Sequence, residues 1–158
     1  VIALAACAIR PAHPADLPAI HALVAEHARR GQLLPRTPES LRRHLEDWRL
    51  AVHQGRLLGV GALHKMAPDL AEIRSLAVDP SGRGQGIGRR LVEALVELGR
   101  SRGLGRIFAL TREVEFFRRC GFVVVERSLF PEKIWLDCLA CPLRHRCDEV
   151  AVMLPEKP

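Results

Sequence analysis

The sequence predicts an α/β domain: one mixed, twisted sheet of six to seven strands with helices on both faces. Three observations predict it. Glu72 to Val78 reads as a strand, ends at Asp79-Pro80, crosses a glycine-rich bend and enters a helix. Beyond that helix, Arg106-Ile107-Phe108-Ala109-Leu110 is a second apolar strand; with one helix between them, the two strands should run parallel. Leu50–His53 and Leu57–Met66, on either side of Gln54-Gly55-Arg56, read as an antiparallel hairpin.

Taken in order, residues 6–10 read as a first strand. Asp16 is a candidate N-cap for a helix carrying Leu17, Ile20, Leu23, Val24 and Ala28, with Gly31 as its stop. His21 and His27 on that helix are read as surface or packed histidines. Thr37 caps, and Pro38 begins, a short helix carrying Leu41, Leu45 and Trp48. In the hairpin, Gly59-Val60-Gly61 is too glycine-rich to be a strand on its own account, and its neighbours carry the assignment. From Ile87 the apolar residues recur as Leu91, Ala94, Leu95 and Leu98, one face of a helix running to about Arg102. Gly103 and Gly105 break the chain. A short helix over Glu113–Arg119, a strand over Phe122–Glu126, an irregular stretch over residues 128–148 and a closing strand over Glu149–Leu154 complete the chain. A single domain over residues 1–158 is expected.

Composition narrows the function classes. The hydrophobic fraction of 48% excludes wholesale disorder. No apolar run approaches the roughly 20 residues of a membrane helix, so no membrane partner is expected. Val1–Cys7 lacks the basic segment of a signal peptide and reads better as the approach to the first strand, which points to a cytoplasmic protein. The net charge of +6 suits a polyanionic partner. Nucleic acid is disfavoured, because the basic residues are scattered among carboxylates and only 4% of residues are aromatic.

The bend itself is the sharpest motif. A Walker loop requires Lys-Ser/Thr after its last glycine, and Gly88 is followed by Arg89-Arg90. The dinucleotide fingerprint also fails, its third glycine falling on Arg89 or Ile87. What remains is Arg83-Gly84-Gln85-Gly86-Ile87-Gly88, which fits R/Q-x-x-G-x-G/A at the start of a helix, where amides and the helix dipole favour an anion. Glycines at 84, 86 and 88 let the backbone approach a phosphate closely. Following Leu76-Ala77-Val78-Asp79-Pro80, this motif resembles the pyrophosphate arm of the GCN5-related N-acetyltransferases (GNAT).

The resemblance extends over nearly the whole chain, from Ile9-Arg10-Pro11-Ala12 to Phe116-Phe117 and Gly121-Phe122. More narrowly, the chain is similar to the short bacterial N-acetylglutamate synthases. Leu33-Leu34-Pro35-Arg36, Gly61-Ala62-Leu63-His64, Ala71-Glu72-Ile73-Arg74-Ser75-Leu76-Ala77-Val78, Phe108-Ala109-Leu110-Thr111, Phe116-Phe117 with Gly121-Phe122, Pro131-Glu132-Lys133-Ile134-Trp135 and Cys147-Asp148-Glu149-Val150-Ala151 carry that match. The resemblance implies the GNAT acyl-CoA N-acyltransferase fold. It also implies acetyl transfer from acetyl-CoA to the amino group of a small amino-acid acceptor, glutamate first, as the opening step toward arginine. It places the cofactor on Leu76, Ala77, Val78, Arg83, Gly84, Gln85, Gly86, Ile87, Gly88, Arg89 and Phe117. Arg36, Arg74, Arg112 and Lys133 would receive the acceptor's carboxylates, for which Arg is suited by its fork of donors. Glutamine, another amine or a catalytically weak acyl-CoA-binding module are the alternatives, and a homodimer is compatible with the sequence.

Amine attack on a thioester needs a neutral amine, a polarised carbonyl and a route for the thiolate to gain a proton. Glu72 is the candidate base, since strand alternation puts Glu72, Arg74, Leu76 and Val78 on one face. A solvated strand face is the alternative for Glu72 and Arg74. The acid departs from the family pattern: many relatives carry Tyr where this chain has Phe117, and the chain contains no Tyr. Thr111 or a water would protonate the thiolate, or none is needed, because a thiol of pKa about 8.5 leaves readily.

Cys138-x-x-Cys141, Cys147 and the intervening His145 form a second motif, three thiols and an imidazole able to enclose a structural zinc ion. Reduced, packed thiols or an adventitious disulfide are the alternatives, and Cys120 is an alternative fourth ligand.

Overall fold

A computed structural model describes residues 7–133, 137–141 and 147–156. In chain order its elements are β1 (Ala8–Pro11), α1 (Leu17–Arg29), α2 (Pro38–Arg43), β2 (Trp48–His53), β3 (Arg56–Ala67) and β4 (Leu70–Val78). They continue as α3 (Ile87–Ser101), β5 (Arg106–Thr111), α4 (Val114–Arg119), β6 (Val123–Val124) and β7 (Val150–Met153). The strands form a mixed sheet in the order β1-β2-β3-β4-β5-β7-β6. β4 and β5 are parallel, as the intervening helix requires, with Leu70 opposite Arg106 and Glu72 opposite Phe108. β1 with β2, β2 with β3, β5 with β7 and β6 with β7 are antiparallel.

The chain divides into two compact units, Val1–Leu63 with Ile73–Leu98, and His64–Glu72 with Gly99–Pro158. In the first, β2 and β3 meet in a two-residue loop. Gln54 (φ 49°) and Gly55 (φ 74°) are both left-handed, the backbone that matches the twist of the flanking strands. Ile20 and Val24 of α1 and Leu41 of α2 pack on Trp48, Leu50, Val60 and Ala62. Ile87 and Leu91 of α3 pack with Ala51 and Leu58 on the other side of the hairpin. Burying one such aliphatic side chain contributes about 1.5–3 kcal/mol, so these two faces carry the unit.

The glycines that weakened the sequence reading of β3 have a packing cause. A Cβ on Gly59 would lie 2.9 Å from Leu91 Cδ1, and one on Gly61 2.9 Å from Leu95 Cδ1. They are absent side chains that let α3 lie close to the strand.

In the second unit Met66, Leu70, Phe108, Phe130 and Ala151 form the core. The Phe108 and Phe130 rings stack with centroids 4.0 Å apart, and the Arg106 guanidinium lies 6.0 Å from the Phe130 centroid. Residues 128–148, expected to be irregular, thus contain a core anchor, with helical turns at Arg127–Leu129 and Pro131–Lys133 around it.

Other boundaries differ for local reasons. Asp16 does not cap α1 through its side chain; it accepts from the His13 amide at 2.7 Å and pairs with Arg10 at 2.8 Å. Thr37 does cap α2, its hydroxyl accepting from the Ser40 amide at 3.1 Å. α2 is shorter than expected: Leu45 sits in a 3₁₀ turn and Trp48 opens β2. The strand at 122–126 is reduced to Val123–Val124.

Candidate active site

β4 is the strand from which the site is built, and it is not a regular strand. Ser75 has φ 56°, a left-handed conformation that a residue with a Cβ adopts only at a cost of about 1–3 kcal/mol. Ser75 and Ala77 are buried and Arg74 is half-buried, as are, further along, Leu76 and Val78. Those two pack with Leu58, Ile87 and Leu91. Ser75 is buried, and its hydroxyl lies 3.4 Å from Arg36 Nε. Arg36 and Arg74 are both half-buried.

Where β4 ends, Asp79 caps the next turn. Its carboxylate accepts from the Ser81 amide at 3.0 Å, contacts the Ser81 hydroxyl, and meets Arg56 at 3.3 Å. The Ser81 hydrogen bonds hold this carboxyl below the ordinary Asp range, against the opposing effect of burial. The turn delivers the chain to Gly84 (φ 75°) and Gly86 (φ 78°), both left-handed and both exposed. A Cβ on Gly84 would meet nothing within 4 Å, so the bend is open. Gln85 is tied inward, its Nε2 donating to Ser81 O at 3.2 Å, while its buried Oε1 has no partner. The Arg90 amide donates to Gly86 O at 3.1 Å, which makes Gly86 the cap of α3 and leaves the Ile87, Gly88 and Arg89 amides without intrahelical acceptors. This bend fits a diphosphate. Arg83 and Arg89 are exposed beside it, Arg89 meeting Glu93 at 3.2 Å, whereas Ile87 is buried in the α3 core.

His27 belongs to the same region. It is buried, with Nδ1 3.0 Å from Leu23 O and Nε2 3.2 Å from Val78 O. Its ring lies between the carbonyl of Leu23 and the last carbonyl of β4, a placement that a histidine at a helical position does not announce in sequence.

In the second unit Glu72 is buried at 2% exposure, which rules out a solvated strand face for it. Lys133 Nζ lies 2.9 Å from both of its carboxylate oxygens. The same ammonium lies 2.9 Å from Asp137 Oδ2. Burial alone would lower the Lys133 pKa; the charges and hydrogen bonds of Glu72 and Asp137 outweigh it, and the net direction is upward. Asp137 was missed in the sequence because its only signal is the i,i+4 spacing from Lys133.

Thr111 is buried, and its hydroxyl oxygen accepts from the Glu113 amide at 2.8 Å, leaving its own proton to donate. Arg112 is engaged with Asp148 at 2.7 Å, a hydrogen bond that raises the guanidinium pKa and lowers that of the carboxyl. Phe117 is a core ring, edge-on to Phe116 and Phe122 at 5.2 Å each.

Of the proposed metal ligands, His145 lies outside the described residues. Cys138, Cys141 and Cys147 are free thiols, and among the described residues their sulfurs are not gathered at ligand distance. Cys147 Sγ receives a hydrogen bond from Arg127 at 3.2 Å, and burial raises the Cys138 pKa. Among the described residues no helix is long and apolar enough to cross a membrane.

Comparison with known proteins bears on both units. The chain is 39% identical over 145 residues to an uncharacterised N-acetyltransferase of Chlorobaculum tepidum, covering 92% of this chain and 94% of that one. It is 40% identical over 121 residues to an amino-acid acetyltransferase of Mycobacterium tuberculosis, covering 75% of this chain and 69% of that one. A crystal structure of N-acetylglutamate synthase from Neisseria gonorrhoeae, complexed with coenzyme A and N-acetyl-glutamate, matches at TM-score 0.85 and 30% identity. That match covers 96% of this chain but 35% of the longer synthase. Residues 22–122 match the acetyltransferase (GNAT) family, and the chain belongs to it.

Proposed function

We propose that this chain transfers the acetyl group of acetyl-CoA to the α-amino group of L-glutamate, the first step toward arginine. The observation that carries the reading is the opening of α3, where two left-handed glycines precede amides that lack intrahelical acceptors. In this reading the Ile87, Gly88 and Arg89 amides take the diphosphate, with Arg83 adding charge. Leu76 to Val78 bind the pantetheine arm through their backbone. The acceptor reaches the enzyme as an ammonium. Glu72, directly or through a water, takes one proton; the amine nitrogen then attacks the thioester carbon, and the C–S bond breaks. The second proton of the attacking nitrogen passes to the departing sulfur, relayed by Thr111 or a water, or goes to water where the sulfur leaves as thiolate. Arg36, Arg74 and Arg112 are the cations proposed for the acceptor's carboxylates. The amino-acid acetyltransferase relative supports an amino-acid acceptor, and the synthase solved with N-acetyl-glutamate supports glutamate as that acceptor.

The test is thiol release from acetyl-CoA across glutamate, glutamine, other amino acids, a polyamine and a peptide N-terminus. Glutamate is expected to turn over best, and Glu72→Gln to lower kcat by roughly 10²–10⁴-fold, the usual scale of a lost acid–base group. Turnover of a different amine with glutamate at background overturns the acceptor assignment. Coenzyme binding without turnover of any amine overturns the enzyme assignment in favour of an acyl-CoA-binding module.

A further inference from the structure

Lys133 was expected among the acceptor-binding cations, and its surroundings argue for a different task. An ammonium has three N–H donors and no acceptor. Three carboxylate oxygens, Glu72 Oε1, Glu72 Oε2 and Asp137 Oδ2, each lie 2.9 Å from its nitrogen. The side chain is 14% exposed and that of Glu72 3%, so the pair is held largely out of water, where removing one partner leaves an uncompensated charge. Asp137, 37% exposed, takes a second donor at the rim, so two of the three N–H groups are engaged by carboxylates of this chain.

We infer that Asp137, Lys133 and Glu72 form a positioning triad, in which Asp137 orients the Lys133 ammonium and Lys133 holds the Glu72 carboxylate ionised in one rotamer. The inference rests on Glu72 being the proton acceptor in the function proposed above. Lys133 and Asp137 are positioning residues that act through Glu72. Two carboxylates flank one ammonium, so the three side chains together carry one net negative charge, which favours taking up the proton of an ammonium acceptor. Neutral amine is the product of that transfer, and no further reactant is needed.

The chain contains three lysines, Lys65, Lys133 and Lys157, so their reactivities are read separately by peptide mass spectrometry after brief treatment with an acetylating N-hydroxysuccinimide ester. Exposed Lys65 is the internal reference. Lys133 is expected to react at least ~10-fold more slowly than Lys65 in the wild type, and faster in Asp137→Asn and Glu72→Gln. With the best acceptor of the panel, Asp137→Asn is expected to lower kcat about 5–10-fold with acceptor KM within two-fold. Lys133→Met should lower kcat further, Lys133→Arg should recover part of it, and Asp137→Asn should add nothing in the Glu72→Gln background. Wild-type Lys133 labelling as fast as Lys65 overturns the triad. A Lys133→Met enzyme that keeps kcat and raises acceptor KM also overturns it, returning Lys133 to acceptor binding. Protection of Lys133 in a chain that acetylates no amine removes the positioning role and the proposed function together, leaving a structural ion pair; an intact kcat pattern with an acceptor other than glutamate removes only the acceptor assignment.

Discussion

Asp16 shows how a single side chain does other work than its position in sequence suggests. Standing before a helix, it has the chemistry of an N-cap, yet its two oxygens pair with Arg10 at 2.8 and 2.9 Å and tie the end of β1 to the start of α1. The Arg10 hydrogen bonds lower its pKa to about 2 from an ordinary 3.8, and burial opposes them. A carboxyl whose folded pKa is depressed stabilises the fold above its unfolded pKa and loses that contribution as the pH falls through the folded one. With 19% of the side chain exposed, the shift corresponds to roughly 2 kcal/mol. Asp16→Asn is therefore expected to cost up to about 2 kcal/mol at pH 7. The gap to wild type should narrow below pH 4 and close near pH 2, as read by denaturant melts across that range. A gap that stays constant with pH would assign the cost to packing. His27 and Ser75 were opaque in sequence for a related reason: a buried imidazole reaching Val78 across 51 residues and a left-handed serine are decided by what surrounds them.

At the level of elements, the part of the site that was legible is the part whose chemistry is local. The passage from β4 into α3 announces itself because a strand stop, two positive-φ glycines and a helix start must follow one another in the chain, and each has its own residue signature. The Glu72–Lys133 pair joins positions 61 residues apart and has no such signature. Gly59 and Gly61 were legible only as weak strand formers, because the residues that require their missing side chains, Leu91 and Leu95, lie on another element. The local part yields its own prediction. Gly84→Ala and Gly86→Val place a Cβ at φ 75° and 78°, where strain of about 1–2 kcal/mol arises whatever the space. Relaxation of that strain turns the amides away from the diphosphate. Each variant is expected to raise KM for acetyl-CoA by roughly 10-fold while acceptor KM stays within two-fold. An unchanged KM for acetyl-CoA in both variants would mean that the bend does not hold the coenzyme.

For the whole molecule, the net charge of +6 and the open start of α3 lead to one thermodynamic consequence. A ligand that binds the native state and not the unfolded chain stabilises it by RT ln(1 + [L]/Kd), about 2.7 kcal/mol at a hundred-fold excess over Kd. For a chain of 158 residues each kcal/mol moves Tm by about 2–4 °C, so saturating coenzyme A should raise Tm by roughly 5–10 °C. Because coenzyme A is a polyanion, part of that stabilisation comes from attraction between exposed charges and shrinks as salt shortens the Debye length from about 8 Å toward 3 Å. The portion that comes from backbone amides is short-range and survives. The shift is therefore expected to fall, without vanishing, between 0.15 and ~1 M salt. At the same coenzyme concentration it should be roughly halved in Gly86→Val even at low salt, since ten-fold weaker binding leaves about 1.4 kcal/mol, although that variant keeps every cationic side chain. A shift that disappears in salt and is indifferent to Gly86→Val would make the coenzyme contact a general attraction of a basic surface, and the opening of α3 would lose its assigned ligand.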